Sequence, residues 1–117
     1  MTIREGYEAV GSDYENVLSR LGNEDMVKRF AIKFLKDPNF DELTDALQKA
    51  DGERAFRAAH TLKGVCLNLG FNRLCEVSAA LTEDLRGQDT TGTEAGYEAV
   101  KKEYEQLVSA IRKMEEA

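Results

Sequence analysis

The sequence predicts an all-α fold: an antiparallel four-helix bundle with additional short helices at its N-terminus. Apolar residues recur at three- and four-residue spacing in block after block, and no segment shows the two-residue alternation of a half-buried strand. Most glycines and the single proline, Pro38, fall at or between the ends of the blocks, where helices stop.

The opening block, about residues 2 to 21, carries Ile3, Tyr7, Val10, Tyr14, Val17, Leu18 and Leu21, with Ser12 or Asp13 placed to cap a restart after Gly11. It reads as two short helices covering one end of the bundle. Asn23 can cap a third helix to about Lys36, with Met26, Val27, Phe30, Phe34 and Leu35 at helical spacing before Asp37-Pro38 ends it. Phe40, Leu43, Ala46 and Leu47 mark a fourth helix ending near Asp51-Gly52. The central helix is expected from about Glu53 to Leu69, closed by Gly70 as a left-handed cap, and Asn72 is expected to cap the next one through about Arg86. Gly87 to Gly96 reads as a loop. Tyr97, Val100, Tyr104, Leu107, Val108, Ile111 and Met114 then define a long closing helix. The chain thus reads as one domain over 1–117, with 1–22 as a helical cover, 23–115 as the bundle and 53–86 as the hairpin at its centre.

With 117 residues, 42% of them hydrophobic and 32% charged, the chain has the length and composition of one soluble domain. It has no room for a nucleotide-binding kinase domain beside it. A net charge of −6 argues against nucleic acid or an anionic membrane surface as partner, since both attract clustered Lys and Arg. The start has no signal-peptide core and no apolar run reaches the length of a membrane span, so a cytoplasmic location is expected. Cys66 and Cys75, without a histidine cluster, support neither a disulfide framework nor a zinc site and read as small apolar residues.

His60 is the one histidine of the chain, and it lies within the central helix. At about 100° per residue, Ala55, Ala59, Leu62, Cys66 and Leu69 fall within about 40° of one line, which is the stripe expected to be buried. His60 lies about 140° from that line, Lys63 about 80° and Gly64 about 180°. The imidazole is therefore expected to face solvent. Lys63, one turn on, can reach the same surface and offset negative charge there. Gly64 costs roughly 1 kcal/mol relative to alanine inside a helix, and its position opposite the stripe favours close approach of another protein over internal packing. Phe56 and Leu67 share the side of the imidazole and read either as flank contacts or as a docking rim. On the next helix Cys75, Ala79, Thr82 and Arg86 share a face distinct from the Leu74, Val77, Leu81 and Leu85 stripe, and Arg73 and Arg86 are candidates for charge beside the site.

The run His60-Thr61-Leu62-Lys63-Gly64, with Leu69-Gly70 further on, resembles the His-x-Leu-Lys-Gly signature of histidine-containing phosphotransfer (HPt) domains. The resemblance covers about residues 23 to 115. It implies a phosphorelay intermediate in two-component signalling: His60 as phosphoacceptor through Nε2, Lys63 stabilising phosphoryl charge, Gly64 allowing close approach of a receiver, and Gly70 as a structural position. Phe56, Leu67, Cys75, Ala79 and Thr82 would form the docking surface. The partners implied are receiver domains of response regulators or hybrid histidine kinases, meeting a monomeric domain. The chain itself would bind no cofactor, with Mg²⁺ expected in the partner receiver, and would act stoichiometrically rather than as a self-standing kinase. Many HPt domains hold a glutamine against the imidazole at the position of Thr82, whose shorter hydroxyl makes that contact doubtful here. Two other readings are open: the phosphoacceptor domain of a chemotaxis-type histidine kinase, and a helical interaction module that is never phosphorylated. Di-metal bundles, which use Glu-x-x-His pairs, do not fit, because Arg57 stands three residues before His60.

Overall fold

The computed structural model describes residues 1–116. Among the described residues there are seven α-helices: α1 (Ile3–Ala9), α2 (Tyr14–Leu21), α3 (Glu24–Lys33), α4 (Asn39–Gln48), α5 (Gly52–Leu69), α6 (Asn72–Asp84) and α7 (Glu94–Glu116). A single 3₁₀ turn, Phe34–Lys36, joins α3 to the Asp37-Pro38 break.

Local chemistry sets most of these boundaries. The Thr2 hydroxyl accepts from the Glu5 amide at 3.1 Å while Glu5 Oε1 accepts from the Thr2 amide at 2.8 Å, a reciprocal cap on α1. Asp13 caps α2, Asn23 caps α3 and Asp51 caps α5, each accepting from the amide three residues on. The expected cap on α6 differs. Asn72 is the first helical residue, and Phe71, which precedes it with its ring buried in the core at 2% exposure, has no side-chain acceptor with which to cap. The Asn72 amide donates to the Gly70 carbonyl at 3.0 Å and to Ser12 Oγ at 3.4 Å, so the N-terminal segment adds a second acceptor to the local one.

Gly70 ends α5 as expected, at φ +73°. The Phe71 amide donates to the Cys66 carbonyl at 2.9 Å and the Gly70 amide to the Leu67 carbonyl, the paired closure that a left-handed residue permits. A side chain here would also place its Cβ 2.1 Å from Val17 Cγ2. Glycine is required by both conformation and space.

The bundle proper is α4 to α7, each helix packed on the last, and α4 also meets α7. Leu43, Ala46, Ala55, Leu62, Cys66, Leu74, Leu81, Val100, Leu107 and Ile111 fill its interior. Phe40 on α4 stacks against Tyr104 on α7 at 4.2 Å between ring centroids, and Thr44 Oγ1 lies 2.8 Å from the Tyr97 hydroxyl. Arg54 ties the start of α5 to α4 through Glu42 at 2.7 Å and Asp45 at 2.8 Å. These hydrogen bonds hold the Asp45 carboxyl below the usual carboxylate range.

Helix α3, grouped with the bundle by sequence, packs on α1, α2, α7 and α5. The cover is pinned at the α5–α6 turn. Tyr7 is fully buried, its hydroxyl donates to the Leu69 carbonyl at 3.0 Å, and its ring packs on Tyr14 and Phe71. Arg20 Nη1 donates to the Asn68 carbonyl at 3.1 Å. Among the described residues no helix is long and apolar enough to cross a membrane.

Candidate functional site

Helix α5 buries Ala55, Ala59, Leu62, Cys66 and Leu69, the stripe expected from periodicity, and adds Ala58 to it. Burial of that stripe against α4 and α6 fixes the rotation of the helix, and the rotation turns His60 outward. His60 is exposed, midway along an 18-residue helix whose ends are both capped. A side chain on rigid, hydrogen-bonded backbone loses little further freedom when a partner engages it.

The imidazole is not isolated. The Phe56 ring, one turn earlier, lies nearly parallel to it, with centroids 6.0 Å apart and 9° between planes. The Arg86 guanidinium, just beyond α6, sits over the Phe56 ring at 5.5 Å. Glu83 holds that guanidinium with two hydrogen bonds, accepting from Nε at 2.9 Å and from Nη2 at 2.6 Å. Arg86, a candidate for free positive charge beside the site, is therefore anchored across the α5–α6 seam.

Lys63 is half-buried one turn after His60, and its ammonium is close enough to act electrostatically on both Cys75 and Glu83. Arg86 first, through its hydrogen bonds, and Lys63 in addition hold the Glu83 carboxyl below its ordinary range. Glu83 is the member of the site that sequence reasoning did not single out. Its signal was its position three residues before Arg86, a spacing that puts two side chains on one helix face.

Gly64 has nothing within 4 Å of where a Cβ would stand. No internal contact needs glycine there, and the surface beside the imidazole is left without a projecting side chain. Leu67, a turn further on, is 61% exposed, the most exposed large apolar side chain of the described residues. Phe56, Cys75 and Ala79 are half-buried along the seam.

Thr82 departs from its expected place. It is fully buried, and its hydroxyl donates to the Ser78 carbonyl at 2.7 Å within α6. It neither reaches the imidazole nor offers docking surface, because α6 is rotated so that Ser78, Leu81 and Thr82 all face inward. Arg73, the other arginine considered, is exposed at the opposite end of α6, with its guanidinium against Gly11. Burial is the first cause that pushes up the Cys75 thiol, with Lys63 pulling the other way, and burial likewise pushes up the Cys66 thiol. Neither cysteine is a ready nucleophile.

An exposed imidazole on a rigid helix, a lysine one turn away and an open glycine beside them can present a nitrogen nucleophile to a second protein. No curated protein and no solved structure significantly matches the chain. The family model of the Hpt domain matches residues 37–110, which run from the break before α4 through most of α7 and include His60, Lys63, Gly64 and Gly70. The chain therefore belongs to the Hpt domain family, whose members carry out histidine phosphotransfer in two-component phosphorelays and interact with receiver domains of response regulators.

Proposed function

We propose that this domain is a phosphorelay intermediate in which His60 accepts a phosphoryl group from the phosphoaspartate of one receiver domain and passes it to the aspartate of another response regulator. The observation that carries the reading is the pairing of an exposed His60 with the empty space over Gly64, one turn away on the same helix. A receiver's active site must bring a buried acyl phosphate to bonding distance of the imidazole, and a bulky residue at 64 would obstruct it.

In the forward step the Nε2 lone pair attacks phosphorus as the bond from phosphorus to the aspartyl oxygen breaks. The aspartate leaves as a free carboxylate and the imidazole keeps its proton on Nδ1. Lys63 stands beside the growing phosphoryl charge and offsets it. The receiver supplies Mg²⁺, and the reverse chemistry on a second receiver discharges the domain. Phe56, Leu67, Cys75 and Ala79 form the docking rim, Phe56 being held in place by Arg86 and Glu83. Each event consumes one phosphoryl group per chain, so the domain works as a monomeric carrier in the cytoplasm rather than as a kinase.

The test is a two-stage relay. The domain is loaded from a phosphorylated receiver in the presence of Mg²⁺, separated, and mixed with a second, unphosphorylated receiver. Label moving through the domain to the second receiver supports the reading. Label that enters only when ATP and a kinase catalytic domain are supplied would assign the chain to the kinase side instead.

A further inference from the structure

The cleft between α3, the Asp37-Pro38 break and the last two turns of α5 is unused by the site above. It has a volume of about 610 Å³ and walls formed by Leu21, Phe30, Phe34, Pro38, Val65 and Leu69. That size lies within the range of clefts that enclose small organic molecules, and the space between helices of a bundle is a usual place for one. Phe30 is 37% exposed at its edge, an aromatic ring left partly in water. Val65 lies about 140° around α5 from His60, so the cleft and the imidazole occupy different sides of one helix.

The mouth carries Lys33, Lys36 and Asp37. Asp37 is already engaged: its two carboxylate oxygens accept from the Asn39 amide and side-chain nitrogen, all at 3.0 Å. Among the described residues neither lysine has an ion-pair partner. In a chain of net charge −6, an apolar cleft rimmed by two unpaired ammonium groups against the one carboxylate of Asp37 carries a net positive charge, a local reversal of sign.

We propose that this cleft binds an amphiphilic carboxylate, a molecule with an aliphatic body and one anionic head, such as a fatty acid. The body replaces water against Phe30, Phe34, Val65 and Leu69, and the head lies between Lys33 and Lys36. The proposal does not depend on phosphorylation of His60.

The test is titration of the isotope-labelled full chain with decanoate below its micelle concentration, followed by amide shifts. Saturable shifts confined to Phe30, Lys33, Phe34, Val65 and Leu69 are expected. The solvent-exposed double variant Lys33→Gln/Lys36→Gln, with an unchanged helical spectrum, should bind about tenfold more weakly, the loss of a charge-assisted contact. Shifts scattered over the surface, unchanged binding by the double variant, or equal binding of decanol would overturn the proposal. So would concentration-dependent shifts of the same residues without decanoate, which would mean that a second copy of the chain fills the cleft.

Discussion

At the scale of single residues, Gly64 sets stability against function. It lies inside α5 with a helical backbone and no neighbour within 4 Å of a Cβ, so alanine fits and should raise stability by about 0.5–1 kcal/mol. The same methyl group intrudes where a receiver must approach, and a displacement of this kind is expected to slow transfer by about 10- to 100-fold. Urea denaturation and transfer rate should therefore move in opposite directions in Gly64→Ala. A destabilised variant would mean that the glycine serves the fold, and unimpaired transfer would remove its docking role. The outward placement of His60 was legible in the sequence because a five-residue stripe fixes the rotation of α5. The surroundings of His60 were less so, since Phe56 and Arg86 meet across two helices and no spacing within one helix reports that contact.

At the scale of elements, boundaries set by local chemistry could be read from the chain, and those set by distant partners could not. The caps at Asp13 and Asn23 and the stop at Gly70 follow from residues within one turn. At the start of α6 Phe71 carries no acceptor, and besides the Gly70 carbonyl the Asn72 amide draws on Ser12, 60 residues away. The rotation of α6 likewise departs from the spacing at Thr82, which shares a helix face with Cys75, Ala79 and Arg86 but whose hydroxyl satisfies itself on the Ser78 carbonyl and so can be buried cheaply. Thr82→Gln consequently should not restore a glutamine contact to the imidazole. The longer side chain has no room and is expected to lower stability by about 1–3 kcal/mol, read by urea denaturation. Unchanged stability with faster transfer would show that position 82 faces the site after all.

At the scale of the whole molecule, the cover and the bundle are joined through Tyr7, whose hydroxyl donates to the last carbonyl of α5. Burial pushes this phenol well above its ordinary range. The unfolded chain loses the proton near pH 10 while the folded chain keeps it, so the stabilisation is fully present below about pH 10 and declines as pH rises beyond it. Tyr7→Phe should cost about 1–3 kcal/mol at neutral pH, since the Leu69 carbonyl loses its partner, yet show a shallower loss of stability above pH 10. The residual slope belongs to Tyr14, Tyr104, Cys66 and Cys75, also raised by burial. An equally steep slope in the variant would separate Tyr7 from the alkaline transition.

All three scales converge on one imidazole, and the most direct measurement is the chemical stability of the label on this domain and on His60→Gln after exposure to a phosphorylated receiver with Mg²⁺. The account requires label that is lost in acid, stable in base and absent from the variant, which should remain folded because position 60 is exposed. Label that survives acid, or that persists in His60→Gln, would contradict it.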